Sequence, residues 1–502
     1  MAAVVADIQS MSLAGLLRSL TLAGLILFLV PRLWQILRAA LSPLNCIPGS
    51  RLHKLSPWPL VFAITKGKSH QKMQDLHKQY GPIVVLAPNM IAVSDPQVVR
   101  RILISEDWPK SNAIYGNFRQ DPKRPTLVAF TDKKAYAVRK RLLSSGFGIR
   151  YIRGMEPIMR DCIRVAIDQL HNACTQNGGE ATVDIYRLMR ALAVDIIGAT
   201  TFGESFHVVE QGSHPLPKKI EYSLLLSGIY QFVPWLKGLP GFPIRDPYID
   251  DFTRAIVDRR RQIMKTEQKH DLLQKLVEAV DDSPNSPFRT SDLQDEVVVL
   301  LTAGSETTAN TEIFMLMLLA KHQDKLALLH EEIDRSYPDP TEEATAEKAI
   351  HMPYLQACID ETMRLYAAMA SGSPREAPQD VTLLGYRVPK GTTVFPTTAT
   401  LHLDPSIWPQ PHEFLPERWL DPDTGSKRGD LPFYPFSAGS RVCIGKHFAL
   451  QEMHLSIVAL LRRFTLKYVP GQDESTVFRV ALQPSAGKYM VKICERERKN
   501  ES

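Results

Sequence analysis

One stretch near the C-terminus limits what this chain can fold into: Pro435-Phe436-Ser437-Ala438-Gly439-Ser440-Arg441-Val442-Cys443-Ile444-Gly445. A single cysteine stands between two glycines, with an arginine two residues before it and an aromatic ring seven before. The residues after it, Lys446 to Phe464, place apolar side chains at Phe448, Leu450, Met453, Leu455, Ile457, Val458 and Leu461, which predicts a helix. A thiol at the mouth of a helix feels the positive end of the macrodipole, which favours the thiolate. Glycines on both sides let backbone and a flat ligand approach the sulfur. Cys443 therefore reads as the axial thiolate of a haem iron, and the remainder of the chain must supply an opposite wall.

Composition narrows the alternatives. At 502 residues the chain can bury a large core, and 44% hydrophobic with 23% charged residues is a globular balance. Lys and Arg exceed Asp and Glu by only six, which argues against nucleic acid as a partner. Cys46, Cys162, Cys174, Cys358, Cys443 and Cys494 form neither CxxC nor paired metal spacing, so a zinc site and a disulfide framework are both disfavoured and a reducing compartment fits. No CxxCH is present, so a haem would be held non-covalently.

The first 37 residues are expected to form a membrane anchor and its flank. Leu13 to Val30 is apolar except for Arg18, Ser19 and Thr21, close to the length a bilayer span requires. Arg32, Arg38, Arg51 and Lys54 follow, whereas Asp7 is the only charge before Arg18, so the bulk of the protein is expected on the cytoplasmic side. Residues 38–60, with Pro43, Pro48, Pro57 and Pro59, are expected as a linker. Residues 61–502 are expected as one catalytic domain, mainly α with small β-sheets. A β-rich lobe carries a hairpin about Pro88-Asn89, a helical region follows from 132, and 203–250 reads as a mobile lid or membrane-dipping segment or, equally, as a plain surface connection. Val477–Leu482 and Lys488–Cys494 are expected to pair with each other about Pro484–Gly487.

The longest helical run, Ser291 to about Gln323, opens on a Ser291-x-x-Gln294 capping pattern and is apolar on nearly every side. In its middle stands Ala303-Gly304-Ser305-Glu306-Thr307-Thr308. Glycine in a helix interior costs about 1 kcal/mol against alanine. An acid and hydroxyls beside it add to that cost, so something must press against the helix there.

Phe436, Gly439, Arg441, Cys443 and Gly445 together satisfy Phe-x-x-Gly-x-Arg-x-Cys-x-Gly. Five such positions coincide by chance on the order of once in ten thousand chains of this length. Glu361-x-x-Arg364 lies on a predicted helix upstream and is followed by Pro416-Glu417-Arg418-Trp419, a context that Glu332/Arg335 and Glu495/Arg498 lack. On these motifs the chain resembles, from end to end, the cytochrome P-450 family in its membrane-anchored microsomal form.

The resemblance implies a cytochrome P-450 fold preceded by a transmembrane helix, and a haem b ligated by Cys443. It implies that Glu361, Arg364 and Arg418 form a structural network bracing the cysteine loop, and that Gly304, Glu306 and Thr307 form the oxygen-activating wall. There Gly304 would admit O2 and the porphyrin, while Glu306 and Thr307 relay protons. Arg441 and Arg375 would hold haem carboxylates. A third cation is expected near position 140, where the family shows Trp or His followed four residues later by Arg. This chain has Tyr136 and Lys140 instead, with Arg139 and Arg141 adjacent, so the basic residue involved stays open.

The implied activity is insertion of one oxygen atom from O2 into a hydrophobic small molecule, in fungal secondary metabolism such as terpenoid or polyketide biosynthesis. Electrons would come from NADPH through a separate flavoprotein reductase, at the endoplasmic reticulum membrane. Same-fold rearrangement of a peroxide without O2 and non-enzymatic haem binding are the alternatives. A hydrolase built on Cys443 and His447 would require a thiol that is not committed to iron.

Overall fold

The computed structural model describes residues 21–22, 30 and 33–496, interrupted at 119–123, 213, 231–232, 245, 265, 284–285, 340 and 421–430. The longer helices are α1 (Ser69–Tyr80), α2 (Lys133–Ser144), α3 (Glu156–Gln176), α4 (Ile185–Ile197), α5 (Pro215–Tyr230), α6 (Pro247–Ile263), α7 (Thr290–Lys321), α8 (Gln323–Ser336), α9 (Pro353–Leu365) and α10 (Lys446–Arg463). The strands are β1 (Ile83–Ala87), β2 (Met90–Val93), β3 (Glu180–Asp184), β4 (Arg375–Glu376), β5 (Val381–Leu383), β6 (Tyr386–Val388), β7 (Thr393–Pro396), β8 (Phe464–Tyr468), β9 (Thr476–Phe478), β10 (Leu482–Pro484) and β11 (Met490–Glu495). The architecture is mainly helical with small sheets.

Helix α7 is the axis of the molecule. Its 32 residues span roughly 48 Å at ~1.5 Å per residue. Its amino end is closed by Asp292, whose Oδ2 accepts the Arg289 N–H at 2.9 Å, and not by Gln294 as the Ser-x-x-Gln pattern suggests. Leu293, Val297, Leu301, Ile313, Phe314 and Leu316 of α7 are buried in one large core with α3, α4, α9 and α10. An all-round apolar helix can form only where neighbours cover every side, which is why this one crosses the core.

A second layer holds the β-rich lobe. β1 and β2 form the expected hairpin, with Asn89 in the left-handed region at φ 64°. β2 runs parallel to β7, which takes β4 antiparallel, giving the order β1-β2-β7-β4. Arg375 is thereby carried into the interior on a two-residue edge strand.

Two expectations change. The 38–60 segment is not a free spacer: Leu44 and Ile47 are buried against Ile83, Val85 and Val394, and short helices cover Arg51–Leu55 and Trp58–Thr65. Pro43, Pro57 and Pro59 sit at or just before the first turn of a helix, where a missing N–H costs nothing. The C-terminal strands also pair otherwise. β9 pairs with β10, and β11 lies between β3 and β8, matching Val491 to both Val183 and Tyr468. Most of the apolar run 13–30 lies outside the described residues, and no helix among those described is long and apolar enough to cross a membrane.

Behind the cysteine loop, Glu312 of α7 and Glu452 of α10 are both buried, and the Ser456 hydroxyl donates to Glu312. Burial raises the proton affinity of both carboxyls, and the charge of Glu312 raises that of Glu452 further. An acid whose folded-state pKa exceeds its unfolded value stabilises fully below the unfolded value, and that stability is lost as pH rises through the folded one. Glu312→Gln keeps the shape and removes the titration. Its melting temperature is expected to exceed that of the native chain by more at pH 8 than at pH 5, the gap corresponding to about 1–3 kcal/mol. An equal difference at both pH values would show that the acids are not held protonated.

Candidate active site

The cysteine loop is shaped by backbone constraints. Ser437 and Gly439 both have positive φ, 60° and 69°, and a Cβ on Gly439 would overlap the Leu103 carbonyl oxygen. Glycine is therefore required at 439 by the segment packed beneath it. The Cys443 N–H donates to Phe436 O at 2.9 Å, closing the loop, and Gly445 opens α10. Cys443 retains accessible surface although protein surrounds it on nearly all sides, the signature of a side chain facing an internal void. Burial pushes its thiol up, while the Gly445 N–H and the Lys140 and Lys110 ammonium groups pull it down. Such a sulfur gains most when a metal cation replaces the proton.

The opposite wall is α7. Ala303 is exposed although Leu301 and Ser305 beside it are buried, so this face too looks into a cavity within the core. Thr307 stands one turn further on, its hydroxyl donating to Ala303 O at 2.8 Å. Gly304 does not face the cavity. A Cβ there would lie 2.7 Å from Ile197 Cδ1, so the glycine serves the close approach of α4 to α7, and Ala303 occupies the position expected of it. Glu306 also turns toward α4, where it is buried and paired with Arg190.

Cations line the edge of the site. Arg375 is fully buried, and its Nε, Nη1 and Nη2 have no hydrogen-bond partner among the described residues. An uncompensated buried guanidinium is costly, and burial depresses its pKa accordingly. Arg441 donates to Phe130 O at 2.7 Å and Thr131 O at 3.2 Å, with its guanidinium 3.7 Å from the centre of the Tyr136 ring. Lys110, which sequence reasoning missed, donates to Val128 O at 2.8 Å and lies 4.3 Å from the Tyr115 ring centre. Burial drives its ammonium well below the ordinary lysine range, and Arg375 and Arg441 add to the effect. None of these three cations forms an ion pair with a carboxylate among the described residues, the Asp107 charge acting on Arg375 and Arg441 only at longer range, so they fit a ligand that carries carboxylates at its edge. A haem supplies two, so the residues present suit that group.

Of the three basic residues near 140, only Lys140 reaches the cysteine loop, where its Nζ donates to Ser440 O at 2.8 Å and Val442 O at 3.4 Å. It clamps the loop through its carbonyls. Arg139 points away, buried against Glu296 at 2.9 Å and Asp292 at 3.4 Å, and Arg141 is exposed.

The bracing network is dense. Arg364 donates from Nε and Nη2 to Glu361 at 2.8 Å each, and from Nη1 to the carbonyls of His402 at 2.8 Å and Pro411 at 2.7 Å. Glu361 also receives Arg418 Nε at 3.1 Å, Trp419 Nε1 at 2.9 Å and the Leu415 N–H at 3.1 Å. His402 accepts the Tyr434 N–H at Nε2, 3.0 Å, two residues before Phe436. Burial, with Arg364 adding, takes His402 down to about 3, so it stays neutral and remains an acceptor. The network thus reaches the cysteine loop through a residue that no motif signals. Glu332, the decoy acid, instead accepts the N–H groups of Tyr354 and Leu355 at 2.8 Å.

An open cleft of about 520 Å³ lined by Arg160, Arg164, Glu343 and Arg462 lies elsewhere. Its charges satisfy one another, as in Arg160–Glu343 at 3.0 Å, so it offers a ligand less than the partnerless Arg375 does.

Known proteins place this geometry. The profile of the family described as Cytochrome P450 matches residues 52–491. Cytochrome P450 monooxygenase acrD of Aspergillus aculeatus is 58% identical over 474 residues, covering 93% of this chain and 94% of that one. Cytochrome P450 monooxygenase LUC2 of a Fusarium species is 55% identical, covering 94% and 92%. The crystal structure of a cytochrome P450, CYP102L1, superposes with a TM-score of 0.77 at 23% identity, covering 90% of this chain and 99% of that one.

Proposed function

The chain belongs to the cytochrome P450 family, and from that premise we propose how its own residues carry the reaction. The enzyme is a haem-thiolate monooxygenase. The observation that carries the assignment of roles is the pairing of a void-facing Cys443 with the partnerless guanidinium of Arg375. Bound haem supplies the chemistry of O2 activation: with two electrons and two protons, one oxygen atom enters the substrate and the other leaves as water.

Cys443 would ligate the iron, and Arg375, Arg441 and Lys110 would take the carboxylates. Lys140 and the Glu361–Arg364–Arg418 network hold the loop in register. Thr307 holds a proton at Oγ1 facing the cavity, and Glu306 supplies charge and protons from the α4 side. Ala303 leaves room on the α7 side of the cavity, where the group would be held. The small, apolar Ala303 face of α7 favours a hydrophobic substrate, in keeping with a role in secondary metabolite biosynthesis. Electrons would come from NADPH through a separate flavoprotein reductase.

Residues 13–30 would anchor the enzyme to the endoplasmic reticulum membrane with the catalytic domain in the cytoplasm. Exposed Leu33, Trp34, Leu41, Trp58, Phe62 and Trp235 support contact with a lipid surface.

The test is the carbonyl spectrum of the reduced protein together with NADPH oxidation in the presence of reductase and a panel of lipophilic compounds. A thiolate-type spectrum and NADPH-dependent oxygenated product are expected, whereas NADPH-independent turnover of a peroxide would overturn the reading. In Thr307→Ala, product per NADPH consumed is expected to fall on the order of tenfold or more, the loss appearing as peroxide, because the proton holder facing the cavity is gone.

A further inference from the structure

Glu306 does not own its partner. Arg190 of α4 is buried, and its Nη2 donates to Glu306 Oε1 while Nη1 donates to the Tyr186 hydroxyl. The same Nη1 lies 3.5 Å from Glu221 Oε2, on α5. The other oxygen of Glu221 receives Arg479 Nη1 at 3.3 Å and Gln483 Nε2 at 3.5 Å, both from the β9–β10 hairpin. That hairpin touches α5 again at Gly228, where an added Cβ would lie 3.2 Å from Arg479 O. Two acids therefore compete for one buried guanidinium, and a second arginine competes for the outer acid. The charged and titratable groups facing Glu306 are Arg190 and Tyr186 from α4 and Glu221 from α5, with Arg479 behind Glu221.

We propose that Glu221 is a positioning residue which, by sharing Arg190, makes the proton affinity of Glu306 depend on the docking of α5 against α4 and the C-terminal hairpin. With α5 docked, the charge of Arg190 is divided and Glu306 retains a proton more readily, at its carboxyl beside Thr307. With α5 withdrawn, Arg190 belongs to Glu306 alone and holds it as a carboxylate that gives up no proton. Burial already raises Glu306, Arg190 lowers it, and Glu221 raises it again, the order of influence that such sharing requires. Arg479 tunes the balance from outside by drawing Glu221 away from Arg190. The consequence for oxygen chemistry rests on the proposed function: protons would be released to the site only when the site is covered.

The experiment reads Glu306 itself and needs no substrate. Infrared difference titration of the purified haem-loaded protein, with the Glu306 carboxyl band assigned by Glu306→Gln, gives the midpoint of its ionisation. Glu221→Gln is expected to lower that midpoint by about one pH unit, tenfold in proton affinity. Arg479→Gln is expected to raise it, because Glu221 then turns fully to Arg190. Opposite shifts from two half-buried neighbours cannot come from general loosening of the fold. Unchanged midpoints, or shifts of the same sign, would overturn the inference. Failure of the carbonyl spectrum or of turnover would instead count against the assignment of function and leave the titration standing.

Discussion

Cys443→Ala is expected to fold, to lose the thiolate-type carbonyl spectrum, and to turn over no substrate. The folding half of that result follows from what the side chain touches. Its Sγ faces the void, while the loop is closed by the Cys443 backbone N–H on Phe436 O, a bond that alanine keeps. Truncating a side chain that borders a cavity removes little packing, so the melting temperature of the haem-free protein is expected to stay within a few degrees. The functional half follows from the absence of a substitute. His447, the nearest imidazole in sequence, is on the first turn of α10, and the polar groups described around the site are cations, hydroxyls and the Asp107 carboxylate, none of them a soft ligand. Haem would keep the cations Arg375, Arg441 and Lys110 for its carboxylates and lose the thiolate that would ligate its iron. A variant that kept the thiolate-type spectrum would remove Cys443 from the centre of the site.

The parts of this site legible in the sequence were those encoded locally. The cysteine loop is one contiguous stretch whose glycines answer to backbone geometry, and α7 announces itself through an apolar run too long to be anything but a core helix. Glu361 and Arg364 share a helix face by their spacing alone. What was not legible depends on which way a helix is turned. Gly304 and Ala303 are adjacent in sequence and differ by about a hundred degrees around the axis, and only the packing of Ile197 reveals which one faces α4. Lys110, Arg190 and His402 sit in segments without a motif, and each is brought to the site by tertiary contacts: Lys110 with Arg375, Arg190 with Glu306, and His402 with Arg364 and Tyr434. Arg190 did leave one trace, as a charge within the otherwise apolar face of a helix whose every described residue but Arg187 is buried. The C-terminal strands failed for the same reason as the linker. Strand partners and proline-rich coverings are chosen by long-range pairing, which local periodicity does not encode.

Arg364→Ala is expected to unfold a large fraction of the protein at physiological temperature and to yield material that does not retain haem. Both Arg364 and Glu361 are fully buried, and the guanidinium makes five hydrogen bonds, two to Glu361 and three to the carbonyls of His402, Pro411 and Glu413. Breaking a buried pair from one side costs about 3–5 kcal/mol because the partner charge is left uncompensated. Arg418 at 3.1 Å offsets part of that for Glu361, but the three carbonyls gain no donor from alanine. Against a net stability of about 5–15 kcal/mol, the loss is large enough to be seen as a fall in melting temperature of roughly 10 °C or more. Arg364→Lys keeps the charge without the fork that serves Glu361 and the carbonyls together, so an intermediate loss is expected. Glu417→Gln is the control on the same turn as Arg418. Its carboxylate pairs at the surface with Lys325 at 3.0 Å and accepts the Tyr354 hydroxyl, so a change below about 1 kcal/mol is expected. Haem content per protein, measured beside the melting curve, separates bracing from chemistry: Arg364→Ala should lose both together, whereas Cys443→Ala should keep its fold and lose only the thiolate signature. Equal haem content and stability in Arg364→Ala and the native chain would mean that the loop stands without the network behind it.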